Sequence, residues 1–131
     1  MISLHTALTV ATSVFFAILF LQSGLDKVVD WRGNLEFHTS HFKNSILAKT
    51  SVLMLVIITI MEVTCGLMFA GGFLFFIVKD DASLSYYANC LASLNFIALF
   101  FGQRISKDYK GAAVLVPYFI LSLIGIFVTS M

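Results

Sequence analysis

Residues 50–72 constrain the fold more than any other part of the chain, because they form an apolar stretch as long as a membrane is thick. The stretch has one acidic or basic residue, Glu62, near its middle. An α-helix of about 20 apolar residues crosses the roughly 30 Å hydrocarbon core of a bilayer. Burial of an ionisable carboxyl group at that depth costs free energy, and such a group is usually functional. Glu62 is therefore the leading candidate for a catalytic residue, with interhelical hydrogen bonding as the structural alternative.

The composition identifies the class of protein. The chain is 60% hydrophobic and 11% charged, whereas soluble domains are about 45–50% apolar and about 25% charged. The lipid bilayer is therefore an expected partner. A formal net charge of +1 gives no support for nucleic-acid binding, which needs a clustered basic face. Cys65 and Cys90 both lie in apolar segments, without the spacing of a disulfide scaffold or a zinc site.

Four segments are long enough to span a membrane as helices. No alternation typical of barrel strands is present, and only helices or closed barrels satisfy their backbone polar groups in lipid. The N-terminal segment lacks a basic region and a clear cleavage site, so we expect it to be a retained helix. The sequence thus predicts an all-α membrane protein, a single integral-membrane domain with a four-transmembrane-helix bundle. The predicted spans are residues 4–25, 50–71, 82–103 and 112–131.

The end of the second span has two interpretations, because the chain stays apolar through residue 78. Gly71 and Gly72 can end the helix, since glycine is common just beyond helix C-termini. Alternatively, the helix continues and tilts in the bilayer.

The loop between the first two spans has its own pattern. Five residues recur at intervals of three or four and so share one helical face: Trp31, Leu35, His38, Phe42 and Ile46. This predicts a short amphipathic helix at the membrane interface. A lid or partner-docking element over a cavity between the spans is the alternative. His38 and His41 have a spacing that could serve a metal, but no third ligand accompanies them. We therefore expect hydrogen bonding there and no metal site.

Basic residues predict the orientation. Seven of the eight Lys and Arg residues fall in residues 26–49 and 104–111, which four spans place on one side. By the positive-inside rule, both basic loops are cytoplasmic and both termini lie outside. The expected location is the bacterial cytoplasmic (inner) membrane.

Depth along the helices suggests a polar layer. Counted at 1.5 Å per residue from the predicted cytoplasmic ends, four polar residues lie about 14–20 Å deep: Glu62, Ser13, Asn95 and Ser122. Gly66 shares a helix face with Glu62 and leaves room for a backbone or a ligand. Low dielectric disfavours the carboxylate, so we expect burial to favour the neutral form of Glu62.

Three runs resemble the DoxX-like family of small four-helix membrane proteins: LFLQSGLDKVVDW, EVTCG and LFFGQRISKDYKGAAVLVPYF. The first contains a G-x-x-K motif at Gly24 and Lys27, and the second an E-x-x-x-G motif at Glu62 and Gly66. The order and spacing of these short motifs carry the resemblance, which covers most of the chain.

The resemblance implies a link to quinone chemistry. The family is named after a membrane subunit of an archaeal thiosulfate:quinone oxidoreductase, and relatives are linked with envelope redox defence. The chain has no detectable cofactor motif of its own, so enzymatic activity is left open and a quinone is the possible ligand. One hypothesis is a lipophile pocket, with Glu62 handling protons. Its cytoplasmic mouth would hold Gly24, Lys27, Arg104 and Asp108.

The second hypothesis is a non-catalytic accessory or scaffold subunit. Its apolar faces would pack on other membrane subunits, and its basic loops would contact a soluble protein or anionic lipid. The stretch GQRISKDYKG is basic enough for such a contact.

Overall fold

The computed structural model describes residues 2–131, and this part of the chain is helical with short connections. Its elements are α1 (Leu4–Val29), α2 (Trp31–Phe42), a 3₁₀ turn (Ala48–Thr50), α3 (Ser51–Lys79), α4 (Ser83–Ile105) and α5 (Tyr109–Thr129). Helices α1, α3, α4 and α5 are long and apolar enough to cross a membrane. The predicted all-α class with four membrane-length helices is therefore confirmed.

Consecutive long helices pack antiparallel. Gly24 of α1 lies against Val63 of α3, whereas Gly66, farther along α3, lies against Leu21, which is earlier in α1. The same reversal relates α3 to α4 and α4 to α5. The bundle therefore runs up and down, with α2, the beginning of α3 and the α4–α5 turn at one end. We call this the α2 end, and the opposite end the terminal end.

Helix α3 continues beyond the two glycines. It ends at Lys79, and Asp80 adopts a left-handed conformation with φ of 53° and donates its backbone N–H to the carbonyl of Phe76. Gly72 lies within the helix and faces Ser85 of α4, where a Cβ atom would come within 2.9 Å of the Ser85 nitrogen. The glycine therefore serves close helix packing, and the alternative of a helix end at Gly71 or Gly72 is wrong.

The loop between α1 and α3 contains the predicted short helix, α2. Asp30 begins it by accepting a hydrogen bond from the Gly33 backbone N–H at 3.3 Å. Phe42, on the predicted apolar face, is buried, and His38 is half-buried. Ile46 differs from the prediction, because α2 ends at Phe42 and Ile46 is 84% exposed.

Aromatic side chains fill the centre of the bundle. Phe16 and Phe20 of α1 pack on Phe69 of α3, with ring centroids 5.1 and 6.1 Å away, and on Phe96 of α4. Small residues of α3 and α4 complete this core. Many large apolar side chains on the outer surface remain exposed, as expected for helices that contact lipid.

Candidate functional site

Glu62 lies in a buried polar cluster between α1 and α3. Lys27 donates a hydrogen bond from Nζ to Glu62 Oε2 at 2.9 Å, and Ser23 donates from Oγ to the same oxygen at 2.7 Å. Lys27 Nζ also donates to Ser23 Oγ at 3.0 Å. The Glu62 side chain is 5% exposed and that of Lys27 18% exposed. We call these three residues the Ser23–Lys27–Glu62 cluster.

The buried Glu62 has partners that depth along one helix could not show. The Lys27 amino group lies 2.9 Å from Oε2, and Ser23 adds a hydroxyl donor to the same oxygen. The expectation of a neutral Glu62 considered burial without these partners.

Two glycines bring α1 and α3 close enough for this cluster to form. A Cβ atom on Gly24 would lie 2.8 Å from Val63 Cγ2, and one on Gly66 would lie 2.8 Å from the backbone nitrogen of Leu21. Neither distance is compatible with a side chain, so only glycine permits this approach. The G-x-x-K and E-x-x-x-G motifs therefore face each other, and both contribute to one site. Gly24, which we expected at the mouth of a pocket, is buried in this helix contact.

The other members of the predicted polar layer do not join Glu62. Ser13 is hydrogen-bonded to Ser85, with 3.2 Å between their hydroxyl oxygens. Ser122 pairs with Ser93 at 2.8 Å. Asn95 is fully buried, and neither its side-chain nitrogen nor its oxygen has a hydrogen-bond partner within the described part of the chain.

Helix offset and helix faces explain this difference from the prediction. The residues of α1 opposite Glu62 are Ser23 and Lys27, near the C-terminal end of α1, whereas Ser13 lies ten residues earlier. Ten helical residues correspond to about 15 Å. Depth counted separately along each span assumes that the cytoplasmic ends of the helices lie at the same level. The C-terminal end of α1 and the N-terminal end of α3 do not, because Gly24 of α1 lies against Val63 of α3. Ser122 instead faces α4.

A cavity of about 510 Å³ lies at the α2 end, between α2, α3 and α4. This volume falls in the range of about 300–1,000 Å³ that is usual for small-molecule sites. Its wall is mostly apolar, with residues such as Leu55, Ile58 and Leu99. The polar residues of its wall are Lys27, Asn34, His38, His41, Thr50 and Gln103. Lys27 therefore belongs both to the cavity wall and to the Ser23–Lys27–Glu62 cluster.

His38 is a second notable polar group of this wall. Its Nε2 atom is buried and has no hydrogen-bond partner among the described residues. Its ring packs against Phe42, with 4.7 Å between ring centroids. Desolvation lowers the pKa of His38 from its ordinary value, and the nearby His41 and Lys27 lower it further. The neutral imidazole is thus favoured at physiological pH.

His41 connects α2 to the α4–α5 turn. Its Nε2 atom lies 2.8 Å from Gln103 Oε1 and 3.2 Å from Ser106 Oγ, and a longer contact of 3.8 Å reaches Asp108 Oδ2. Asp108 also begins α5, because its Oδ1 atom accepts a hydrogen bond from the Gly111 N–H at 2.9 Å. These contacts hold the end of α2 against α4 and α5.

Three of the four residues expected at the mouth, Gly24, Arg104 and Asp108, lie outside the cavity wall, and only Lys27 belongs to it. Arg104 is exposed, with its guanidinium carbon 4.6 Å from the centre of the Tyr109 ring. Asp108 contacts His41, which does line the cavity. Lys27 pairs with Glu62 at 2.9 Å.

Ser23 is the site residue that the sequence analysis missed. It lies four residues before Lys27, so the two share one face of α1. This spacing, read together with the Glu62 motif, was the available signal. A serine in a membrane helix is common as a packing residue, which is why its position alone indicated no site.

Comparison of the chain with known proteins assigns it to no family. The chain gave no significant match to family models, to curated proteins or to solved structures.

Proposed function

We propose that the chain is a DoxX-like integral membrane protein that binds a quinone or a similar lipophile in the cavity at the α2 end. It would act as a small membrane subunit of a redox-linked or envelope complex, with Glu62 as the proton-handling residue. The observation that carries this proposal is the double role of Lys27, which lines the cavity and bonds to Glu62 at 2.9 Å.

The proposed chemistry needs protons at a buried ligand. Reduction of a quinone to a quinol takes two electrons and two protons, and the protons end on the two ring oxygens. The electrons would come from a redox-active partner subunit. Glu62 can exchange a proton with Lys27 or Ser23 along the hydrogen bonds of their cluster, and Lys27 faces the ligand. Such positioned proton transfer is general acid–base catalysis.

The proposed membrane placement follows from charge and shape. The inner-membrane orientation, with both basic loops cytoplasmic, agrees with the exposed side chains of Arg104, Lys107 and Lys110 at the α2 end. In this placement α2 is an amphipathic helix in the inner interface, with Phe42 directed into the bundle. It would also cover the cavity and so act as a lid.

Purification in mild detergent tests the pocket. Lipids are extracted from the wild-type protein and identified by mass spectrometry, and the same is done for Ala98→Phe, which adds bulk to the cavity wall. Ala113→Phe is the matched control, because Ala113 is exposed on α5 and does not line the cavity. We expect a stoichiometric quinone or similar lipophile in the wild type and the control, and much less in Ala98→Phe. Equal amounts in all three would contradict the pocket.

The role of Glu62 has a separate test. Purified protein is loaded with decylubiquinone and reduced with the methyl viologen radical cation, whose oxidation releases no protons, and proton uptake is followed with a pH-indicator dye. Glu62→Gln keeps the shape and hydrogen-bonding capacity of the side chain but cannot titrate. We expect slower proton uptake with the same amount of bound ligand. An unchanged rate would remove Glu62 from proton transfer.

The accessory-subunit alternative has one observation in its favour, the exposed basic side chains at the α2 end: Arg32, Lys43, Lys49, Arg104, Lys107 and Lys110. These can contact an acidic protein surface or anionic lipid. Co-purification of a larger subunit in fixed ratio, with no lipophile bound, would favour this alternative over the pocket.

A further inference from the structure

Two residues of the cavity wall at the α2 end, Lys27 and His38, have hydrogen-bonding capacity that no described residue uses. Lys27 has three N–H donors, of which one goes to Ser23 Oγ and one to Glu62 Oε2. The third has no hydrogen-bond partner among the described residues, and Lys27 lines the cavity. His38 contributes the second group, because its buried Nε2 atom has no partner within residues 2–131. A buried polar atom without a partner is costly, and a bound ligand can remove that cost.

The charge balance around these groups is close to neutral. The ammonium of Lys27 is already paired with the carboxylate of Glu62 at 2.9 Å. His38 is neutral at physiological pH because burial, His41 and Lys27 lower its pKa. His41 is engaged with Gln103 and lies near Asp108. An anionic head group would therefore meet the Glu62 carboxylate without finding an uncompensated positive charge.

We infer that Lys27 and His38 together select lipophiles with an uncharged, oxygen-bearing head group over lipophiles with an anionic one. This inference rests on the proposed function of the cavity and specifies the ligand class. A carbonyl oxygen can accept from Lys27 Nζ and from the Nε2–H tautomer of His38. A hydroxyl group can instead donate to Nε2 in the other tautomer, so both redox forms of a quinone satisfy the imidazole. The apolar tail then contacts Leu55, Ile58 and Leu99.

Equilibrium binding to the purified full-length protein tests the inference. The probes are radiolabelled decylubiquinone, which is uncharged, and palmitate, which is anionic. We expect saturable binding of decylubiquinone by the wild type and at least tenfold weaker binding of palmitate. Palmitate binding as tight as that of decylubiquinone, with mutual competition, would overturn the inference.

Variants of His38 assign the selectivity to this residue. His38→Phe keeps a ring beside Phe42 but removes both nitrogens, and we expect about tenfold weaker decylubiquinone binding, which corresponds to the loss of one hydrogen bond. His38→Gln, which keeps a polar group, should recover part of the affinity. His5→Phe is the matched control, since His5 lies at the terminal end against Phe76. The emission of Trp31, at the beginning of α2, verifies that each variant is folded.

The outcomes separate the inference from the proposed function. If Ala98→Phe abolishes decylubiquinone binding and His38→Phe binds as tightly as the wild type, the pocket stands and the role of His38 is refuted. If the wild type shows no saturable binding of either probe, the proposed function itself fails. Weaker binding in His38→Phe, together with normal binding in His5→Phe, supports the inference.

Discussion

At the scale of single residues, the Lys27–Glu62 pair is the most consequential contact of the chain. Both charges lie largely out of solvent, and each compensates the cost of burying the other. Removal of one partner leaves the other charge buried alone, which typically costs about 3–5 kcal/mol. Replacement of both residues by apolar residues of similar volume avoids that cost, because no buried charge remains.

A double-mutant cycle therefore tests the pair. We expect Lys27→Met and Glu62→Leu each to lower the free energy of unfolding in detergent by about 3 kcal/mol. The double variant should be more stable than the sum of the two losses predicts, because no unpaired charge remains. Strictly additive effects would show that the two side chains do not interact.

His38 gives a residue-scale prediction for pH. Its pKa is lowered in the folded protein, so below about pH 6.5, the ordinary value for histidine, the unfolded state binds more protons than the folded state. The contribution of His38 to the free energy of unfolding is therefore fully present at higher pH and is lost as the pH falls towards the lowered pKa. We expect the docking of α2, followed by Trp31 emission, to weaken between pH 7.5 and 5.5. His38→Phe should reduce this dependence and His5→Phe should not; an equal slope in all three would contradict it.

At the scale of elements, the contact between α1 and α3 depends on glycine. A Cβ atom on Gly66 meets the rigid backbone of Leu21, whereas one on Gly71 meets only the flexible end of Leu84 at 3.2 Å. We expect Gly66→Ala to lower the free energy of unfolding by about 1–3 kcal/mol through overpacking, and Gly71→Ala to change it by about 0.5 kcal/mol or less. Thermal unfolding in detergent measures both. Equal effects of the two substitutions would show that the close approach at Gly66 contributes nothing.

Element boundaries show where local pattern was sufficient. The four long helices follow from apolar length alone, since each must satisfy its own backbone hydrogen bonds in lipid. The end of α3 could not be predicted from the sequence, because the glycines that suggested a helix end instead pack against α4. The spacing of apolar residues also predicted the helix α2. It placed Ile46 on the apolar face of that helix, whereas in the structure α2 ends at Phe42, before Ile46.

At the scale of the whole molecule, the up-and-down bundle places both termini at one end. With the basic loops in the cytoplasm, reporter domains fused to either terminus should both lie outside the cytoplasmic membrane. Paired reporters, one active only in the cytoplasm and one only outside it, measure this directly. A cytoplasmic signal from both fusions would invert the proposed orientation.

The sequence by itself determined the class of protein and the number of membrane-length helices, and it singled out Glu62 as a candidate, because apolar length and an isolated carboxyl are local properties. Tertiary structure alone decided which groups meet that carboxyl. The offset of α1 against α3 and the rotation of each helix bring Ser23 and Lys27 to Glu62 and leave Ser13, Asn95 and Ser122 elsewhere. Depth can be counted along one helix, but offset and rotation depend on how side chains of different helices pack together.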